Sequence, residues 1–247
     1  QKHRKFLKKL LISLFVLIPL LVFLVVSFQK PFNSHQFELG TVKEFTGIYH
    51  KKPIPILEVS PKALPETFSN HILLVGYGKF GAEGIMKAIE KEYGDLAGKK
   101  ITIRGTLIYG DGKTLMELTE QENSLIEIYK QPSGKGSNIK TPSGNIALEG
   151  EILDPKCYFG VMKPGEGKIH KSCAIRCISG GIPPVFRTAA ADKNGFDYYI
   201  LLGTNGIKIN AEVLPFVAER IKISGSVSHR NGWDIVYIHP KDIAILQ

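Results

Sequence analysis

"KKITIRGTLIYGDGKTLMEL" (99–118) aligns without a gap on "ERIKISGSVSHRNGWDIVYI" (219–238), at a constant offset of 120 residues. Ile101 and Ile103 fall on Ile221 and Ile223, Gly105 falls on Gly225, and Asp111-Gly112 falls on Asn231-Gly232. Each copy reads as an alternating strand, a two-residue turn and a second strand. Asp-Gly and Asn-Gly tolerate the positive φ that tight hairpin turns demand, so each copy is predicted to be a β-hairpin. A match at fixed offset is the signature of an internal repeat, and it divides the chain into two related halves.

The likeness extends outward from the hairpins. Each half opens with a strand-like piece running into proline, "EFTGIYHKKPIP" (44–55) and "ALEGEILDPK" (147–156). Each continues with an apolar run ending in glycine, "HILLVGYG" (71–78) and "YYILLGTNG" (198–206), then a helix-like piece, 84–98 and 210–220. Three strands, a helix and a closing hairpin form the pattern of the five-stranded OB-fold barrel. Gly105 and Gly225 suit the bent strands of such a barrel. A pair of small β-sandwich domains is the alternative.

The net charge is +9 over 247 residues, but Lys2, Arg4, Lys5, Lys8 and Lys9 supply +5 of it, leaving +4 (9 − 5) for the rest. That surplus is too small to point to a nucleic-acid partner. The basic head precedes "LLISLFVLIPLLVFLVVSF" (10–28), 19 residues without a charge. About 20 apolar residues cross a bilayer as a helix, whereas a signal peptide has a shorter apolar core and a small-residue cleavage site. "SFQKPF" is no such site, so an uncleaved anchor is expected, with Pro19 tolerated inside it. The basic flank places the head in the cytoplasm and the rest beyond the inner membrane, in a compartment that permits disulfides.

Gly76, Gly78 and Gly81 fit G-x-G-x-x-G between a strand and a helix. The next strand enters a hairpin rather than a second βα unit, and no acidic residue ends it to hold a ribose. The other half carries "LLGTNG" there instead. The glycines are therefore read as a tight strand-to-helix turn with a mobile loop, and no nucleotide cofactor is expected.

All three cysteines lie in "CYFGVMKPGEGKIHKSCAIRC" (157–177), part of an insertion (157–184) without a counterpart in the first half. "KIHKSCAIRCISGG" reads as a short helix stopped by Gly180-Gly181. On it His170, Cys173 and Cys177 share a face, facing Cys157 at the end of the preceding strand. Cβ atoms at i, i+4 lie about 5–6 Å apart, too far for an unstrained disulfide but suitable for two thiolates on one metal. Three readings stay open: a Cys₃His centre for zinc, copper or iron; a disulfide from Cys157 to Cys173 or Cys177 with one thiol left over; or core cysteines. The spacing C-x12-H-x2-C-x3-C matches no standard zinc finger. Asp154 reads as a turn residue before Pro155, and Tyr158 and Phe159 as packing residues. No G-x-S-x-G, H-E-x-x-H or C-x-x-C is present, and a cysteine nucleophile with His170 as its base ranks below ligation.

The segment 150–186 resembles one recurring in a family of uncharacterised secreted or membrane-anchored bacterial proteins. The shared pattern is G-E-hydrophobic-x-D-x-x-C-Y, a glycine-containing loop, H-x-x-C-A-x-x-C, then G-x-P. It falls here on Gly150, Glu151, Asp154, Cys157, Tyr158, His170, Cys173, Ala174, Cys177, Gly181 and Pro183. The resemblance implies a shared Cys/His site and no particular reaction.

The chain is thus expected to be mainly β, an N-terminal transmembrane helix followed by two tandem OB-fold-like small β-barrels, each with a short helix. Residues 1–30 form the basic stub and anchor, 36–130 the first barrel, 131–145 a Gly/Ser/Pro-rich linker and 146–247 the second barrel with its insertion. The expected function is that of a single-pass inner-membrane protein with its C-terminal barrels outside the cytoplasm. Its Cys157, His170, Cys173 and Cys177 would form a metal-binding or redox-related site, in an accessory subunit for other membrane or periplasmic proteins. The alternative is a non-catalytic interaction scaffold whose cysteines form a structural disulfide.

Overall fold

The computed structural model describes residues 2–28, 35–130, 144–192 and 194–246. The expected linker lies almost wholly outside the described residues. The chain divides into two compact units, one holding the N-terminal helix and the other both barrels. The first is helix α1 (Lys2–Phe28), long and apolar enough to cross a membrane.

In the second unit, the first half forms β1 (Lys43–His50), β2 (Ile56–Val59), β3 (His71–Val75), helix α2 (Glu83–Tyr93), β4 (Lys100–Gly110) and β5 (Lys113–Leu118). Strand order is β4-β1-β2-β3-β5, and pairing of β4 with β5 closes the barrel. The second half forms β6 (Asn145–Leu153), helix α3 (Gly167–Ser179), β7 (Val185–Ala189), β8 (Phe196–Gly203), helix α4 (Asn210–Val213), β9 (Arg220–Arg230) and β10 (Trp233–Ile238). Its order, β9-β6-β7-β8-β10 closed by β9–β10, repeats the first. In both barrels the third and fifth strands run parallel, Leu73 beside Leu115 and Ile200 beside Ile235, and the helix lies between the third and fourth strands. Two closed five-stranded barrels of OB-like order are what the repeat and the hairpins predicted.

The turn residues explain the closing hairpins. Asp111 and Gly112 have φ of 48° and 70°, Asn231 and Gly232 of 46° and 73°, so all four central positions are left-handed. Gly105 serves a different purpose. It pairs with Lys43 on β1 and with Leu118 on β5, where β4 passes from one neighbour to the other. A Cβ there would stand 2.3 Å from the Glu117 carbonyl oxygen, and one at Gly225 2.3 Å from that of Tyr237.

The interiors are separate, but the barrels also share a core. Tyr49, Leu57, Ile72, Leu74, Met86 and Ile101 fill the first barrel, and Ile152, Phe186, Leu201, Val213, Ile221 and Val236 the second. A third cluster takes Ile56, Leu73, Val75 and Ile108 from the first half and Leu153, Phe159, Ile200 and Trp233 from the second. Strands β3 and β8 are therefore covered on both faces, which is why "HILLV" and "YYILL" read as continuous apolar runs instead of alternating ones.

The contacts across this interface are reciprocal. Asp111 in the first turn accepts a hydrogen bond from Tyr198 at the start of β8, and Gly232 in the second turn lies against His71 at the start of β3. The ammonium of Lys113 sits 4.9 Å over the ring of Trp233, its counterpart at the 120-residue offset.

Candidate metal centre

The site forms where the insertion leaves β6. Asp154 Oδ1 accepts the Lys156 N–H at 2.9 Å, starting a turn of the kind its Asp-Pro sequence favours. The backbone then makes a wide helical turn, Cys157–Val161, that turns Cys157, Tyr158 and Phe159 inward. Phe159 is fully buried against Tyr158, Tyr198 and Trp233.

Helix α3 supplies the other donors and is tied at both ends. The Gly167 N–H donates to Glu151 Oε1 at 2.6 Å, and Arg187 pairs with Glu166 and, at 3.4 Å, with Glu151. At the far end the Gly180 N–H returns to the Arg176 carbonyl, and Asn210 Nδ2 donates to the carbonyls of Ile178 and Ile182 at 2.7 and 2.8 Å. His170, Ala174, Cys177 and Ile178 form the buried face, and Cys173, expected to share it with His170 and Cys177, is only half-buried at its edge.

All three cysteines are free thiols. Their sulfurs lie within 4.8 Å of one another, and Cys157 Sγ is 3.9 Å from Cys173 Sγ. A disulfide needs about 2.05 Å. Tetrahedral ligands on a metal–sulfur bond of about 2.3 Å stand about 3.8 Å apart, so the observed separation suits two ligands to one ion as well as two thiols in contact. His170 falls in a second group, with Asp154 and Cys157, whose donor atoms also lie within 4.8 Å of one another. Cys157 thus belongs to both groups, and the four residues read from sequence gain Asp154 as a fifth.

Two buried polar atoms at this site have no hydrogen-bond partner, His170 Nε2 and Asp154 Oδ2. Such atoms are rare in folded proteins and call for a ligand. The thiol of Cys157 is raised above its ordinary pKa, first by its hydrogen bond to Cys177, then by burial and by the charge of the Asp154 carboxylate and a hydrogen bond to it. Burial lowers the pKa of His170, with the charge of Asp154 opposing and that of Lys79 adding to the effect. A neutral imidazole is ready to ligate, whereas a thiol held protonated needs a cation to release its proton and is a poor nucleophile.

The remaining wall comes from the other barrel. The G-x-G-x-x-G loop after β3 sits on the end of α3, where the Gly81 N–H donates to the Gly180 carbonyl at 3.0 Å. A Cβ at Gly180 would stand 2.0 Å from the Lys79 carbonyl oxygen, and one at Gly81 2.2 Å from that of Gly181. These glycines permit backbone-to-backbone contact between barrels, so the loop forms the tight turn expected and rests on the other barrel. It delivers Lys79, whose ammonium donates to Cys173 Sγ at 2.9 Å and whose pKa is raised chiefly by that bond. Lys156, 3% exposed, reaches back to donate to the Gly76 carbonyl at 2.9 Å and to that of Gly78, and pairs with Glu117 on β5.

Sequence reasoning missed Lys79 and Lys156, which lie in different halves and carry no local signal. It weighed Asp154 chiefly as a turn residue, and the same side chain performs that task through Oδ1 while its carboxylate also joins the donor group with Cys157 and His170. Elsewhere His50 pairs with Glu58 at 2.8 Å and His229 with Asp234 at 2.9 Å. Comparison with family models, with curated proteins and with solved structures found no match to this chain.

Proposed function

We propose that this chain is a membrane-anchored, extracytoplasmic protein. Its second barrel carries a metal-binding site of the thiolate–imidazole type, serving as an accessory subunit of a membrane or periplasmic system. One observation carries the metal reading: three free thiols, two of them buried, converge beside a buried imidazole and a buried carboxylate that each have an unpartnered atom. The donor set suits zinc, and its sulfur content also suits copper(I) or iron. The apolar helix α1, with five basic residues among the first nine of the chain, supports an anchor with a cytoplasmic head. The charge pattern supports no nucleic-acid partner, and the loop that matched a dinucleotide fingerprint is occupied by an inter-barrel contact.

The 3.9 Å between Cys157 and Cys173 favours a second reading, an oxidised scaffold with that disulfide and Cys177 left free. Elemental analysis and thiol counting on the detergent-solubilised chain separate the two. Bound metal that is lost in Cys173→Ser, with all three thiols titratable after chelation, supports the metal site. A metal-free chain with one titratable thiol refutes it and establishes the scaffold reading.

A further inference from the structure

The donors at the site do not form one coordination sphere. They form two triads, Cys157/Cys173/Cys177 and Asp154/Cys157/His170, that share a single sulfur. We propose that the centre is dinuclear: it takes two divalent, thiophilic cations, one per triad, with the Cys157 thiolate bridging them. The inference rests on the metal reading above and fixes the stoichiometry and the division of ligands.

Three observations carry it. Donors on one tetrahedral ion with bonds of about 2.0–2.3 Å lie within about 4 Å of one another. The structure gathers the five donor atoms into two groups, each within 4.8 Å and so near that span, rather than one, with Cys157 common to both. Next, His170 is 4% exposed and Asp154 fully buried, each contributes a donor atom to the second triad, and each has a buried polar atom without a hydrogen-bond partner. An ion in the sulfur triad alone would leave the buried imidazole of His170 with an unpartnered nitrogen, and buried polar atoms are normally paired.

Charge supplies the third argument. Three thiolates and one carboxylate carry −4, which two divalent ions cancel. A single divalent ion leaves −2 in a buried site, where uncompensated charge is strongly disfavoured. Lys79 at Cys173 answers one of those charges, while Lys156 is already paired with Glu117. With three protein donors each, both ions keep a coordination position for solvent or an exogenous donor, as in open metal sites.

The test is a titration of the full chain in detergent, reduced and stripped of metal, with Co²⁺ read by thiolate-to-cobalt charge-transfer absorbance and Zn²⁺ read by elemental analysis after desalting. The expected wild-type stoichiometry is two equivalents. His170→Ala and Asp154→Asn should each keep one equivalent with the sulfur–cobalt band intact, Cys173→Ser should lose the sulfur-rich site, and Cys157→Ser should bind neither ion tightly. Circular dichroism confirms folding, and His170→Gln replaces His170→Ala if the latter is unfolded. A wild type that saturates at one equivalent, unchanged in His170→Ala and Asp154→Asn, overturns the dinuclear centre and leaves a mononuclear thiolate site. A wild type that binds no metal overturns both.

Discussion

Replacing Lys156 by methionine tests how the two barrels are held together. The lysine is 3% exposed, and its ammonium serves the Glu117 carboxylate and the carbonyls of Gly76 and Gly78. Methionine keeps the volume of the stem and removes all three donations. Breaking a buried ion pair costs about 3–5 kcal/mol. Glu117 is 16% exposed and regains some water, which puts the pair near the lower end. Each carbonyl left without a donor adds about 1 kcal/mol, reduced where water can enter. A loss of about 3–4 kcal/mol follows. Adding Glu117→Leu removes the stranded carboxylate, so the double variant should recover about 1–2 kcal/mol of that loss, the carbonyls remaining unserved. Thermal unfolding by circular dichroism reads the result, at about 2–4 °C per kcal/mol for a chain of this size. A Lys156→Met loss below about 1 kcal/mol would refute the reasoning, and so would a double variant no more stable than the single.

Other consequences follow from the same contacts. Gly180→Ala drives a Cβ to 2.0 Å from the Lys79 carbonyl and should cost about 1–3 kcal/mol while weakening metal retention, whereas Gly84→Ala, exposed in α2 with open space around it, should be neutral or stabilise by up to about 1 kcal/mol. Trp233→Ala empties the centre of the shared core and should cost about 3–5 kcal/mol in chemical denaturation. The carboxyl of Asp111 is held below its ordinary pKa, first by the hydrogen bond with His35 and then by that from Tyr198. The unfolded chain therefore binds the proton more readily. The contribution of Asp111 is full above the usual carboxylate value of about 3.9 and is lost as pH falls through the lowered one, so Asp111→Asn should flatten the acid limb of a stability–pH profile. An unchanged acid limb would contradict that assignment.

What was legible in the sequence was local. Asp111-Gly112 and Asn231-Gly232 declared their hairpins because few dipeptides accept two left-handed residues in succession. His170 and Cys177 declared a shared helix face through spacing alone. The run "HILLV" gave the strand, yet its second buried face depends on Trp233 and Ile235 from the other half, and no local pattern encodes that. Gly76, Gly78 and Gly81 declared a tight turn but not what it approaches. The loop serves close backbone approach, the same physical need that shapes a phosphate-binding turn, with α3 of the other barrel in the place of a ligand. Lys79 was invisible for the same reason, since its partner Cys173 lies 94 residues along the chain.

Cys157, Cys173 and Cys177 are proposed to act together on a cation. Native mass spectrometry of the full chain, released from detergent after purification without chelator or reductant, addresses this directly. The predicted result is a mass raised by bound metal, accompanied by loss of the thiol protons, and returned by chelation to that of the fully reduced chain. A metal-free chain lighter by two hydrogens, reporting a disulfide, would contradict it.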